Sequence, residues 1–146
     1  MKLPKDLREF IALLNSKNVE YLLVGGHAVA YHGYPRFTGD CDFFVARTPD
    51  NAAAIIEVLD AFGFSALGMK SEDFLEPNQV VQLGRPPGRI DLLTGLDGVE
   101  FEEAWQTRLS ADLDGLPVSF ISKELLIRNK KSVNRAQDQA DLEELQ

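Results

Sequence analysis

The sequence predicts an α/β (α+β) fold in which helices pack on a mixed β-sheet. Short apolar runs that fit strands alternate along the chain with segments that carry apolar residues at helical spacing. Glycine and proline separate many of these segments. A length of 146 residues suits one compact domain, residues 1–146, with a core over 1–121 and a C-terminal helical segment over 122–146.

The first third of the chain shows the pattern helix, strand, glycine turn, helix, strand. The spacing of five apolar residues predicts an amphipathic helix over 3–14: Leu3, Leu7, Phe10, Ile11 and Leu14. Residues 20–24 predict a short strand, and Gly25-Gly26 break it before a short helix in HAVAYHG. The stretch DCDFFVA, residues 40–46, predicts a second strand.

Helix caps and turn residues place the remaining elements. Thr48 is the predicted N-cap, and Pro49 the first residue, of a helix that ends at Gly63. The segment 65–78 predicts a loop or a short irregular helix. The later elements are antiparallel strands in QVVQLG and RIDLLTG, a short helix in VEFEEAWQTR, strands over 109–113 and 117–121, a helix KELLIRNKK capped by Ser122, and a last helix RAQDQADLEEL.

Composition and charge narrow the class of protein. Hydrophobic residues make up 45% of the chain and charged residues 26%, as in ordinary soluble globular proteins. A formal net charge of −8 argues against broad attraction to nucleic-acid backbone. Cys41, the one cysteine, leaves no partner for an intramolecular disulfide, and we find neither a signal-peptide pattern nor a run of about 20 apolar residues. We therefore expect a cytoplasmic protein without a membrane partner.

Asp40 and Asp42 stand two residues apart in an apolar strand, so both carboxylates leave the same face about 6.6–7 Å apart. Two ionised carboxylates this close raise each other's pKa unless a cation lies between them. Oxygen ligands favour Mg²⁺, Mn²⁺ or Ca²⁺, and Mg²⁺ is usually bound by one or two carboxylates together with substrate phosphates. The alternative is a solvated strand end that pairs with Arg36 or Arg47.

Asp91 is a third carboxylate inside a predicted apolar strand, RIDLL. Aspartate is depleted in strands, and one at mid-strand needs a partner. That partner is either Arg89 on the same face, in a salt bridge, or a metal ion shared with Asp40 and Asp42. The three carboxylates together match a two-metal site, in which ions about 3.5–4 Å apart activate an attacking oxygen and stabilise a leaving phosphate.

The Gly25-Gly26 pair lies between a predicted strand and a predicted helix. Glycines in this position let backbone N–H groups approach a phosphate closely. The alternative is a tight turn without a ligand. Because the pair and the two aspartates are close in sequence, we expect them to form opposite walls of one cleft.

These residues occur in an order that resembles a known superfamily. The matching segments are GGHA at Gly25 to Ala28, R-x-T-x-D-x-D at Arg36, Thr38, Asp40 and Asp42, and R-x-D at Arg89 and Asp91. The chain resembles the nucleotidyltransferases of DNA polymerase β-like (palm-like) fold, in particular small bacterial stand-alone members of the minimal, antibiotic-modifying and abortive-infection toxin branches. Gly26 departs from the GS branch, where a serine would add a hydroxyl donor to phosphate.

The resemblance implies transfer of a nucleoside monophosphate from a nucleoside triphosphate to a hydroxyl acceptor, with Mg²⁺ or Mn²⁺ as cofactor. The implied metal ligands and catalytic residues are Asp40, Asp42 and Asp91. The implied nucleotide-binding residues are Gly25, Gly26, Arg36, Thr38 and Lys130. Arg36 also fits a surface arginine, and Thr38 fits a hydroxyl that fixes the loop.

Lys130 precedes an R-x-x-D-x-x-D pattern made by Arg135, Asp138 and Asp141. The resemblance implies that Lys130 reaches the triphosphate or the base. The alternative is structural: Arg135, Asp138 and Asp141 join the last two helices through salt bridges.

The acceptor is left open between a protein side chain, a tRNA end and a small molecule. A toxin or phage-defence component, with a cognate antitoxin or partner protein, is one setting that the resemblance implies. A non-catalytic nucleotide-binding module of the same fold is the main alternative, and the repulsive carboxylate trio argues against it. A metal-dependent phosphodiesterase would leave the glycine pair without a role.

Overall fold

A computed structural model of the protein describes residues 3–33, 39–85 and 88–146. The helices in these ranges are α1 (Lys5–Ser16), α2 (Gly25–Tyr31), α3 (Pro49–Ala61), α4 (Phe101–Gln106), α5 (Lys123–Val133) and α6 (Ala136–Leu145). The strands are β1 (Tyr21–Val24), β2 (Asp40–Val45), β3 (Val80–Leu83), β4 (Arg89–Leu93), β5 (Leu109–Leu113) and β6 (Leu116–Phe120). Two short 3-10 helices, Ser65–Leu67 and Ser71–Phe74, lie in the segment predicted as irregular. None of the helices in the described ranges has the length and apolar character needed to cross a membrane.

The sheet formed by these strands is mixed, with the order β3-β4-β2-β1-β6-β5. β2 pairs in parallel with β4, and β1 with β6, whereas the other neighbouring pairs are antiparallel. The predicted α/β (α+β) class, with helices packed on a mixed sheet, is confirmed. The register of β2 sets Asp42 opposite Asp91 on one side and opposite Val24 on the other.

Side-chain caps determine where two of the helices begin. Thr48 accepts a hydrogen bond from the backbone N–H of Asn51 at 3.2 Å, and Pro49 is the first residue of α3. Ser122 accepts a hydrogen bond from the N–H of Leu125 at 3.3 Å and so starts α5. Both predicted helix starts are confirmed.

Among the predicted boundaries that differ from the structure, two have a clear local cause. α1 begins at Lys5 rather than at residue 3, because Pro4 has an extended backbone with ψ of 148°. β6 begins at Leu116, one residue earlier than predicted, because Leu116 pairs with Leu113 across a two-residue turn. Both turn residues, Asp114 and Gly115, have positive φ, as a tight hairpin with the normal strand twist requires.

The two faces of β2 have different surroundings because successive side chains alternate. On one face, the ring of Phe43 lies 5.6 Å from that of Phe10 in α1. Cys41 shares this face and packs there as a small apolar residue, and its burial raises the pKa of the thiol. On the other face, Phe44 packs against Phe101 of α4. The acidic residues of β2 therefore belong to the face opposite α1.

Candidate active site

Three carboxylates converge where β2 pairs with β4. In this parallel pair Asp42 lies opposite Asp91, and Asp40 lies two residues before Asp42 on the same face. One carboxylate oxygen of each residue lies within 4.8 Å of the other two. The structure thus brings together the three residues that the sequence predicts as one ligand set.

The carboxylate cluster makes Asp42 a weaker acid than an ordinary aspartate. Burial, the charge of Asp40 and a hydrogen bond with Asp91 raise the pKa of Asp42 to about 7, although the charge of Lys130 works in the opposite direction. A proton between two carboxylates relieves the same repulsion that a cation would relieve. The all-oxygen donor set and the raised pKa of Asp42 both fit a hard divalent ion such as Mg²⁺ or Mn²⁺.

Arg89 supplies positive charge to the same cluster. Its Nε donates a hydrogen bond to Asp91 Oδ1 at 2.8 Å, and its Nη2 donates to Asp91 Oδ2 at 3.0 Å and to Asp40 Oδ2 at 2.7 Å. The salt bridge between Arg89 and Asp91, which was one of the two interpretations of Asp91, is therefore present. Asp91 also lies close to Asp40 and Asp42. The bond to Asp40 was not predicted, because it depends on Arg89 lying opposite Asp40 in the β2–β4 register.

Of the two arginines that the sequence offers as partners for Asp40 and Asp42, only Arg47 lies in the described residues. The Nη1 of Arg47 donates instead to the backbone oxygen of Leu75 at 3.2 Å. Arg36 lies outside the described residues, as does Thr38. Their predicted contacts with nucleotide stay predictions.

Gly25 lies directly beside the carboxylate cluster. Its φ of 66° is in the left-handed region, and a Cβ atom at this position would lie 2.2 Å from Asp42 Oδ2. The expectation that the glycine pair and the aspartates form opposite walls is wrong for Gly25, because β1 ends next to Asp42 in the sheet. α2 also begins at Gly25 itself, so the glycines open the helix and no separate turn precedes it.

The cluster opens into a cleft of about 690 Å³, a volume within the usual range of small-molecule sites, roughly 300–1,000 Å³. The sheet contributes the three carboxylates, and the start of α2 contributes Gly25 and Gly26. The last two helices contribute another wall, which consists of Asn129, Lys130, Val133, Arg135 and Gln137. The cleft therefore joins the predicted core of the chain to its C-terminal helical segment.

Lys130 lines this cleft, but its ammonium group is paired with buried carboxylates. Its Nζ lies 3.1 Å from Asp138 Oδ1 and 3.1 Å from Asp141 Oδ2. Burial opposes ionisation of Asp138, yet hydrogen bonds from Arg135 and Lys130 hold the pKa of that carboxyl below its ordinary value. Salt bridges therefore join the last two helices, as the structural alternative predicts, and Lys130 is the residue of α5 that forms them. Arg135, which sequence reasoning assigned only to helix pairing, also lines the cleft.

Comparison with known proteins shows the fold. No family model matches the chain, and no curated protein matches it by sequence. Among solved structures, the chain is similar to the lincosamide antibiotic adenylyltransferase LnuA with bound lincomycin, with a TM-score of 0.60 and 16% identity over 98% of this chain and 96% of that chain. It is also similar to an antigenic nucleotidyltransferase-like protein from Paracoccidioides brasiliensis, with a TM-score of 0.52 and 21% identity over 96% of this chain and 74% of that chain. The protein therefore has the mixed α/β fold of these nucleotidyltransferase structures.

Proposed function

We propose that the protein is a metal-dependent nucleotidyltransferase. It would transfer a nucleoside monophosphate from a nucleoside triphosphate to a hydroxyl acceptor and release pyrophosphate. The observation that carries this proposal is the convergence of oxygens from Asp40, Asp42 and Asp91 within 4.8 Å at the wall of a cleft. The fold shared with an adenylyltransferase supports it.

In this proposal Asp40, Asp42 and Asp91 hold the Mg²⁺ or Mn²⁺ ions. When bound, the ions neutralise phosphate charge and lower the pKa of the attacking group. Asp91 is 5% exposed and oriented by Arg89, and it helps to take the proton from the acceptor hydroxyl. The hydroxyl oxygen forms a bond to the α-phosphorus. The bond from that phosphorus to the oxygen bridging to the β-phosphorus breaks, and pyrophosphate leaves.

The remaining groups bind and orient the triphosphate. Gly25 and Gly26 line the cleft and bring backbone close to the carboxylates, so their N–H groups are the proposed phosphate donors. Arg36 and Thr38 are proposed nucleotide contacts from the resemblance in sequence. Catalysis would come mainly from positioning and charge neutralisation.

The proposed acceptor belongs to one of three classes: a protein side chain, a tRNA end or a small molecule. LnuA is bound to lincomycin in its structure, so a small molecule belongs among the acceptors to be tested first. We place the protein in the cytoplasm, acting as one domain over residues 1–146. A toxin or defence role, with an antitoxin or other partner protein, is the proposed setting for a protein or tRNA acceptor.

A transfer assay tests the proposal. The protein is incubated with Mg²⁺ or Mn²⁺, each α-labelled nucleoside triphosphate, and fractions of a cell extract that separate proteins, RNA and small molecules. Label should appear on an acceptor with the wild type and not with Asp40→Asn. The exposed variant Asp60→Asn, on α3, is the matched control and should retain transfer.

The outcome separates the proposal from its main rival. Thermal stabilisation by a triphosphate without any labelled acceptor would favour a non-catalytic nucleotide-binding module. Arg89 gives that rival one supporting observation, because its guanidinium already bonds two of the three carboxylates. A melting curve that neither metal nor nucleotide shifts would reject both functions.

A further inference from the structure

Three described basic side chains line the cleft: Arg89, Lys130 and Arg135. A triphosphate needs positive charge around its terminal phosphates as well as at the reacting α-phosphate. The hydrogen bonds of each side chain show how much of its charge is left for a ligand. Arg89 has little, because its guanidinium bridges the carboxylates of Asp40 and Asp91, which we propose as metal ligands, and its side chain is only 26% exposed.

Lys130 is also occupied. Its side chain is 5% exposed, and its ammonium lies between the carboxylates of Asp138 and Asp141, which are 1% and 0% exposed. If Lys130 turned to a phosphate, it would leave both buried carboxylates without this partner. Such a loss of charge pairing is strongly unfavourable in a protein interior.

Arg135 differs from both. Its side chain is 71% exposed, and it lines the cleft at the residue before α6. One edge of the guanidinium is held by Asp138, with Nε to Oδ2 at 2.8 Å and Nη2 to Oδ1 at 3.4 Å. The Nη1 donates no hydrogen bond within the part of the chain that the structure describes. Arg135 is therefore anchored on one side and open to a ligand on the other.

We propose that Arg135 binds the terminal phosphates of the triphosphate and gives the site its preference for triphosphate over monophosphate. This inference rests on the proposed function. A guanidinium presents paired donors that match phosphate oxygens, and an anchored one loses less conformational freedom on binding. The α6 side of the cleft would then bind the pyrophosphate that leaves, while the carboxylates of the sheet act at the α-phosphate.

Equilibrium binding tests this assignment without turnover. The probes are non-reactive triphosphates with a methylene group between the α- and β-phosphorus, one for each of the four bases, and the matching monophosphates, all with Mg²⁺. Isothermal calorimetry compares the wild type with Arg135→Gln and Arg135→Lys. Lys131→Gln, an exposed cation on α5 that does not line the cleft, is the matched control. Melting curves record whether each variant is folded.

We expect Arg135→Gln to weaken triphosphate binding by about 10- to 100-fold, the usual effect of losing a hydrogen bond to a charged group. Binding of the monophosphate should stay within about twofold, because that ligand lacks the phosphates that Arg135 contacts. Arg135→Lys should retain part of the triphosphate affinity, which keeps the test valid if Arg135→Gln fails to fold. Lys131→Gln should match the wild type.

Two results would overturn the inference. An equal loss for triphosphate and monophosphate would mean that Arg135 only supports the start of α6. Unchanged triphosphate binding in both Arg135 variants would mean that the arginine does not contact the ligand, while the proposed function could stand. A wild type that binds no triphosphate would instead reject the proposed function together with the inference.

Discussion

The backbone of Gly25 lies against the carboxylate of Asp42, so that a Cβ atom at position 25 would come within 2.2 Å of Oδ2. Gly25 also has a left-handed φ of 66°. Both features have one cause: β1 ends opposite Asp42 in the sheet, and the chain enters α2 at once. The glycine therefore sets the space available to a carboxylate of the candidate metal site.

Gly25→Ala should disturb both stability and the carboxylate cluster. The left-handed backbone alone is expected to cost about 1–3 kcal/mol of unfolding free energy with a side chain present. The added methyl group should also displace Asp42, so that Mg²⁺ or Mn²⁺ no longer raises the melting temperature. Urea unfolding and melting curves with and without metal measure the two effects.

Gly63→Ala is the matched control for this variant. Gly63 has a φ of 95°, and a Cβ atom there would meet no described atom within 4 Å. It should show the backbone cost and keep the metal response of the wild type. The same loss of metal response in both variants would contradict a specific role for the contact between Gly25 and Asp42.

Arg89→Gln tests whether the guanidinium neutralises the carboxylate cluster when no metal ion is bound. Without the bonds of Arg89, Asp40 and Asp91 lose a positive partner, and the metal-free melting temperature should fall. Mg²⁺ or Mn²⁺ should then raise the melting temperature by more than in the wild type, because the ion restores the missing charge. Calorimetric melting over a metal titration provides the measurement.

Arg128→Gln is the matched control: this arginine forms an exposed pair with Glu103, and its Nε donates to the backbone oxygen of Gly98 at 2.7 Å. Exposed pairs contribute little, so this variant should lose less melting temperature than Arg89→Gln, and its response to metal should match that of the wild type. Metal-induced shifts of equal size in Arg89→Gln and the wild type would show that Arg89 does not substitute for an ion.

The raised pKa of Asp42 predicts that the metal-free protein is less stable at pH 8 than at pH 5. The folded-state pKa is about 7, mainly through burial, and the unfolded value is about 3.9. Between these values the folded state binds more protons, so the unfolding free energy falls as pH rises and levels off above pH 7. Each unit of pKa difference corresponds to about 1.4 kcal/mol.

Asp42→Asn should remove this fall in stability, since an amide has no proton to lose in the range. Urea unfolding at several pH values between 5 and 8 compares the two proteins, with the exposed Asp60→Asn as control. Metal affinity of the wild type should rise through pH 7 as the proton on Asp42 is removed. A pH profile of stability that is the same in Asp42→Asn and the wild type would refute the assignment.

Lys130→Met tests the buried charge cluster between α5 and α6. The change leaves Asp138 and Asp141 without their shared partner, and breaking a buried pair in this way costs roughly 3–5 kcal/mol. Chemical unfolding of the variant gives the value. Lys131→Met, at the next and exposed position, should change the unfolding free energy by about 0.5 kcal/mol or less. Equal effects of the two variants would show that the ion pairs of Lys130 are not stabilising.

The local elements could be predicted because their causes lie within a few residues of each other. Thr48 and Ser122 cap the N–H groups three residues ahead of them, and such caps are visible in a sequence. Alternation along β2 likewise assigns Asp40 and Asp42 to one face, and Cys41 to the other. The hairpin of β5 and β6 was predicted one residue out, because the turn geometry of Asp114-Gly115 determines which residues pair.

The assembled site depends on contacts between distant parts of the chain. Residue types and spacing by themselves determined that Asp40, Asp42 and Asp91 are candidate ligands. Only the tertiary structure decided that β4 lies parallel to β2 in the register that joins Asp42 to Asp91 and Arg89 to Asp40. Strand register is set by the packing of whole faces rather than by neighbouring residues. For the same reason, the folded chain alone shows that Lys130 is held between buried carboxylates while Arg135 is open to the cleft.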